Sequence, residues 1–124
     1  MFEKMHTQNN ILAFALNAYT VRNEVIQHNI ANVDTPRFKR KAVDFEVAFA
    51  KELERFNNTG NFNAKKAGPK VRLIDEHYSN RLDGNNVNID VEMAELYKNS
   101  VRHNILIDAV INNYRKINLA STGR

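Results

Sequence analysis

Apolar residues recur at alternating spacings of three and four along the first third of the chain. The series runs Phe2, Met5, Leu12, Leu16, Tyr19, Ile26, Ile30 and Val33. Asn9 and Asn23 occupy two further positions of this heptad series. Such a period is typical of an amphipathic helix with a broad apolar face. The pattern predicts a helical segment over residues 1–36 that requires a partner to cover this face.

A second series with the same period fills the last third. It consists of Met93, Leu96, Ser100, His103, Ile107, Val110, Tyr114 and Ile117. Asp90 is a candidate N-cap, and Gly123 follows the last apolar positions, as is common at helix ends. We therefore expect a second long helix over residues 89–124, paired with the first as an antiparallel, coiled-coil-like core. The residues predicted to form this core and its packing surface are Leu12, Leu16, Tyr19, Ile26, Ile30, Met93, Leu96, Ile107, Val110 and Tyr114.

The middle of the chain, residues 37–88, is loop-rich, which makes the fold class mainly α. Asp44 precedes apolar residues at helical spacing, which predicts a short capped helix. The apolar residues of this helix are Phe45, Phe49, Leu53 and Phe56. Residues 70–74 alternate briefly between polar and apolar and fit a short strand. Turn-forming residues fill 57–60 and 83–86.

Composition narrows the function. The chain has 124 residues, no cysteine and a net charge of +4. Absence of cysteine excludes disulfides, thiolate catalysis and zinc–cysteine sites. No apolar run approaches the roughly 20 residues of a membrane span. The first seven residues lack the charged and apolar regions of a cleaved secretory signal, so we expect none.

Candidate chemistry is sparse. The four histidines, at positions 6, 28, 77 and 103, have no helical metal-site spacing. No nucleophile motif is present. We therefore expect neither enzymatic activity nor a metal or other cofactor. The basic run Arg37-Phe38-Lys39-Arg40-Lys41 leaves one alternative open, a small basic cytoplasmic module that binds nucleic acid or an acidic protein partner.

The residues from Asn29 to Lys39 carry a family likeness. They read Asn-Ile-Ala-Asn-Val-Asp-Thr-Pro-Arg-Phe-Lys, and this resembles the NIANxxTPGYK signature of bacterial flagellar rod, hook and related axial proteins. The matching residues are Asn29, Ile30, Ala31, Asn32, Thr35, Pro36 and Lys39. Arg37 replaces the usual Gly and Phe38 the usual Tyr. Because Gly adopts positive φ most readily, the effect of Arg37 on this turn is open.

A second run, Asp83–Met93, and the short length resemble the proximal-rod members of that family. The resemblance implies a structural subunit whose terminal helices pair into a core. Copies would pack helically into a tube that connects the MS ring to the distal rod and hook and transmits torque.

The same resemblance implies a location and a set of partners. The chain would leave through the flagellar type III export apparatus, without a cleaved signal peptide, and reach the basal-body rod in the periplasmic space. Its partners would be other copies, sister rod proteins, the MS-ring protein and the adaptor FliE at the rod base, with no nucleic acid and no membrane span.

Overall fold

Two long helices form the body of the protein in a computed structural model, which describes residues 2–75 and 81–123. The helices and strands, in chain order, are α1 (Phe2–Ala31), β1 (Lys41–Asp44), α2 (Glu46–Thr59), α3 (Ala64–Ala67), β2 (Lys70–Leu73) and α4 (Ile89–Thr122). Residues 76–80, which include His77, lie outside the described residues. No helix in the described ranges has the length and apolarity to cross a membrane.

Helices α1 and α4 pack along each other as an antiparallel pair, which confirms the predicted fold class. Asn29 near the end of α1 contacts Glu92 near the start of α4, whereas Tyr19, earlier in α1, contacts Asn99, about two turns further along α4. Ala15 and Ala18 are buried in the middle of α1, and the half-buried Leu106 of α4 packs against the cluster to which they belong.

Exposure varies along the predicted face of α4. Met93 and Tyr114 are each 52% exposed, so neither is buried in the contact with α1 within the chain. The buried positions of α4 are Glu92, Asn99 and Ile117. Two of these are polar and were not in the predicted set, whereas Ile117 belongs to the predicted apolar series. Leu96, Ile107 and Val110 are half-buried, as are Leu12, Leu16, Tyr19 and Ile30 on α1, whereas Ile26 is buried.

The middle segment folds onto α1. Strands β1 and β2 pair antiparallel, with Lys41 opposite Leu73 and Val43 opposite Val71. The strand expected at 70–74 is therefore present, but its partner β1, which begins at the last residue of the basic run, was not predicted within the loop-rich segment 37–88. Phe45 and Val43 are buried with Ala15 and Ala18 in one cluster, so the core lies between α1 and the middle segment.

Aromatic rings attach α2 to α1. The Phe14 ring lies 6.5 Å from that of Phe45, 6.4 Å from Phe49 and 5.6 Å from Phe62, between centroids. The Phe45 ring also lies 5.7 Å from Tyr19 and 4.9 Å from Phe49. Tilted and edge-on contacts at these distances stabilise beyond the area they bury.

Both predicted helix caps differ from the structure. Phe45 occupies the N-cap position of α2 without a side-chain cap, and Asp44 forms an ion pair with Arg72 instead. At α4 the N-cap is Asn88, whose Oδ1 accepts from the amide nitrogens of Asp90 at 3.0 Å and Val91 at 3.4 Å. The helix begins one residue before Asp90, which places Asp90 in its first turn.

Replacing Phe45 by alanine tests the aromatic core. We expect Phe45→Ala to lower the free energy of unfolding by about 3–5 kcal/mol, because it removes a buried ring and leaves a cavity. Val47→Ala, two residues away on the exposed side of α2, should change it by less than about 0.5 kcal/mol. Urea denaturation followed by circular dichroism measures both, and equal effects would contradict the packing of α2 on α1.

Candidate functional site

Helix α1 ends at Ala31, ahead of the Thr35-Pro36 pair. Asn32 organises the turn that follows, since its Nδ2 donates to His28 O at 2.8 Å and its Oδ1 accepts from Thr35 Oγ1 at 3.1 Å. The Thr35 amide donates to Asn32 O at 3.1 Å. A residue before proline disfavours the helical conformation, and the Asn32 side chain supplies bonds that the interrupted helix lacks.

Asn85, from the second motif, closes this turn. Its Nδ2 lies 2.9 Å from Asn32 O, 3.0 Å from Val33 O and 2.8 Å from Thr35 O. Its Oδ1 accepts from the Val87 amide at 2.8 Å. Carbonyl groups after a helix end have no partner within the helix. One buried amide side chain therefore lies within hydrogen-bond distance of three carbonyl groups in the turn that follows α1.

Asn29 joins α1 to β1. Its Oδ1 accepts from the Lys41 amide at 2.9 Å, and its Nδ2 donates to Lys41 O at 2.7 Å. The fully buried amide thus bonds to β1 as a neighbouring strand would. Arg22 continues this edge, because its Nη2 donates to Val43 O at 2.9 Å.

Glu92 brings the start of α4 to the same place. The fully buried carboxylate accepts from Arg40 Nε at 2.6 Å and from Asn29 Nδ2 at 3.1 Å. An unpaired carboxylate in this position would be very costly. Glu92, Arg40 and Asn29 come from three different segments, so their contact fixes α4, the chain before β1, and α1 relative to one another.

Asn86 extends the contact to the second strand. The Arg40 amide donates to Asn86 Oδ1 at 2.7 Å, and Asn86 Nδ2 donates to Ile74 O at 2.7 Å. The Asn86 side chain therefore lies between Arg40, just before β1, and Ile74, just after β2. We call Asn29, Arg40, Asn85, Asn86 and Glu92 the hinge network.

Arg37 adopts positive φ, the question that the sequence left open. Its φ is 61°, and it is the sole non-glycine residue with positive φ in the described part of the chain. Its amide donates to Asp83 O at 2.9 Å, and the neighbouring Lys39 Nζ donates to Gly84 O at 2.7 Å. These bonds hold the turn in a conformation that glycine adopts at lower cost.

The motif residues divide between the network and the surface. Asn29 is buried, and Ile30, Asn32, Phe38 and Lys39 are half-buried. Ala31, Thr35, Pro36 and Arg37 are exposed. Sequence patterns missed that Asn85, Asn86 and Glu92 bind residues of the first motif or the segment that follows it. The Asp83–Met93 run was recognisable as a second motif, but nothing in the spacing of the two motifs showed that they contact each other in the fold.

Ion pairs of Glu46 connect α2 to α1 and to α4. Its carboxylate bonds to both terminal nitrogens of Arg22 in α1, with Nη2 at 2.6 Å from Oε2, and it lies 3.6 Å from Arg102 Nη1 in α4. Hydrogen bonding from Arg22 lowers the pKa of Glu46 below its ordinary value. The stabilisation from Glu46 is therefore present above that ordinary value and is lost as the pH falls through the lowered pKa.

The basic run does not form an open cationic surface. Arg40 binds Glu92, Lys39 binds a backbone carbonyl, and Lys41 belongs to β1. The alternative of a nucleic-acid or acidic-protein module built on this run is not supported. Within residues 2–75 and 81–123, no three His, Cys, Asp or Glu side chains are placed to hold a metal ion.

Neutralising Glu92 tests the network. We expect Glu92→Gln to lower the free energy of unfolding by about 3 kcal/mol, because it leaves the Arg40 charge without its buried partner. Glu95→Gln removes an exposed pair with Lys98 on the same helix and should cost less than about 0.5 kcal/mol. Chemical denaturation of both variants checks this, and a Glu92 variant as stable as the Glu95 variant would rule out the structural role of the carboxylate.

Glycine at position 37 tests the strained turn. We expect Arg37→Gly to raise the free energy of unfolding by about 0.5–1 kcal/mol. Glycine removes the strain of positive φ, and this gain exceeds the free-energy cost of ordering a more flexible unfolded chain. Asp34→Gly, at an exposed position of the same turn without positive φ, should lower it. Thermal or urea unfolding separates the two, and a destabilised Arg37 variant would show that the arginine contributes contacts that outweigh strain.

Sequence similarity to known proteins identifies the family of the chain. No family model matches the chain. A Borrelia hermsii protein described as flagellar basal body rod protein FlgB is 33% identical over 118 aligned positions, covering 84% of this chain and 87% of the relative. Proteins of the same description from Borreliella burgdorferi and Bacillus subtilis are 31% and 30% identical, covering 84% and 88% of this chain and 87% and 88% of theirs. The chain belongs to the FlgB family of flagellar basal body rod proteins.

Proposed function

We propose that this chain is a structural subunit of the bacterial flagellar basal-body rod and acts by assembly, without catalysis. The observation that carries the proposal is the similarity to FlgB proteins along 84–88% of the chain. The antiparallel α1–α4 pair, joined at one end by both family motifs, agrees with such a role.

An apolar ridge on α4 supports assembly. The exposed residues Ile89, Met93, Tyr97, Val101 and Ile105 recur every fourth position and form what we call the α4 ridge. Tyr97 is 72% exposed. Rows at this spacing pack into grooves of neighbouring helices, and apolar surface of this extent usually marks an interaction site. We propose that the ridge packs against a neighbouring rod subunit, and that the exposed Tyr114 also contacts a neighbouring subunit.

The hinge network gives the subunit a fixed shape. A rod that transmits torque requires subunits that do not change shape when they are twisted, and the network ties α1, α4 and the strands together at one end. The exposed residues of the turn, Asp34 to Arg37, face outward and are proposed to contact adjacent subunits. Head-to-tail contacts combined with a rise per subunit generate a helical tube instead of a closed ring.

The proposed location is the proximal rod in the periplasmic space, between the MS ring and the distal rod. The proposed partners are other copies, sister rod proteins, the MS-ring protein and the adaptor FliE. Export through the flagellar type III apparatus, without a cleaved signal peptide, is part of the same proposal.

Motility tests the ridge. We expect Tyr97→Asp, expressed in a deletion strain of the source bacterium, to reduce swimming to that of the deletion strain, because burying a carboxylate in an apolar contact is strongly unfavourable. The isolated variant should unfold at nearly the same denaturant concentration as the unmodified chain, since Tyr97 is exposed. Asn58→Asp, which adds the same charge at an exposed position of α2, should swim normally. Normal rods in electron micrographs of the Tyr97→Asp strain would contradict the proposed contact.

A further inference from the structure

Strand β2 lies at an open edge of the sheet. One edge of β1 pairs with β2, and its other edge is occupied by the side chains of Asn29 and Arg22. The Ile74 amide donates to Arg40 O at 2.9 Å. Because antiparallel ladders alternate, Arg72 and Lys70 also face β1, and the backbone groups of Val71 and Leu73 face away from it. Within the described ranges, nothing hydrogen-bonds to these outward groups.

Apolar side chains flank this open edge. Val71 is directly opposite Val43, so both lie on the same face of the sheet. Val43 is buried in the core, whereas Val71 and Leu73 are 54% and 58% exposed. The core-facing side of the sheet therefore extends outward as an uncovered apolar strip, formed by Val71 and Leu73, at the position where a third strand would place its own side chains.

The surroundings of β2 are basic on balance, because the basic residues there outnumber the acidic residues Asp44, Glu46 and Asp75. Lys70 and Arg72 are exposed on the opposite face, where Arg72 Nε lies 2.9 Å from Asp44 Oδ2, while Lys70 has no ion pair among the described residues. Lys51 of α2 lines the same surface depression as Lys70. Lys65 and Lys66 of α3 are exposed a few residues earlier. Two copies pairing through β2 would bring these like charges together, which disfavours self-association at this edge.

We propose that the β2 edge binds an extended acidic segment of a partner protein as an added third strand. Backbone bonds to Val71 and Leu73 supply the affinity, as in other strand-addition complexes. Alternating side chains supply the specificity: apolar residues lie over Val71 and Leu73, and acidic residues face Lys70 and Arg72. This surface is separate from the α4 ridge, and the inference does not depend on the proposed rod function.

Titration of the full-length, ¹⁵N-labelled chain with two synthetic eight-residue peptides tests the proposal. One peptide alternates Val and Glu, and the other alternates Val and Lys. We expect the Glu peptide to bind at low salt, to shift the amide resonances of residues 70–74 and to protect the Val71 and Leu73 amides from exchange. The Lys peptide should not bind.

Variants separate the backbone and charge contributions. Val71→Pro removes one outward donor and should weaken binding at least about tenfold, because proline blocks pairing at an edge without breaking the inner ladder. Lys70→Glu should weaken it at least about fivefold, whereas Lys4→Glu on α1 should stay within about twofold. In the absence of peptide, an Ile74 amide resonance at the position found in the unmodified chain checks that each variant keeps the sheet.

Several outcomes would overturn the inference. These are equal binding of both peptides, no binding of the Glu peptide at millimolar concentration, binding unaffected by both Val71→Pro and Lys70→Glu, and concentration-dependent dimerisation abolished by Val71→Pro. The last result would assign the edge to a second copy of the chain. None of these outcomes alters motility of the Tyr97→Asp strain, so failure here is distinct from failure of the rod assignment.

Discussion

The fully buried carboxylate of Glu92 is the constraint on which the joined end of the molecule depends. A carboxylate in this position is tolerated only when its oxygens are paired, and Arg40 and Asn29 provide the pairing. Each partner is committed elsewhere as well, since Asn29 also binds the backbone of β1 and the Arg40 backbone bonds to Asn86 and Ile74. The charge thus couples the start of α4 to the sheet and to the end of α1.

This coupling gives the two family motifs one physical purpose. The first motif ends a helix and turns the chain through the positive-φ residue Arg37, which leaves carbonyl groups in need of donors. The second motif supplies them through Asn85 and then starts α4 with Asn88 as its cap. The distance between the motifs along the sequence is long, but they form a single structural unit in the fold.

Periodicity predicted the elements that depend on local properties, namely two long helices, a short helix and one short strand. Periodicity did not identify the buried positions that are occupied by polar residues. Met93 and Tyr114 were included in the predicted set because they are apolar, and each is about half exposed, whereas the buried positions of α4 include the polar residues Glu92 and Asn99. The exposed turn residues and the end of α1 near Pro36 were predictable, because proline restricts its predecessor sterically. Asn85 and Asn86 were not, because an asparagine that bonds across the fold has the same sequence signature as one in a solvent-exposed turn.

Buried polar groups on α1 and α4 also limit the stability of the fold. Both side-chain polar atoms of Asn9 and the Oδ1 of Asn99 are buried without a hydrogen-bond partner among the described residues. Each such group costs about 1–3 kcal/mol, although a polar residue in a helix contact fixes the register of the pair. Such groups therefore lower the stability of the fold, while the hinge network secures one end of the helix pair. A pair built in this way gains stability when further helices cover the α4 ridge, which is the situation expected inside a rod.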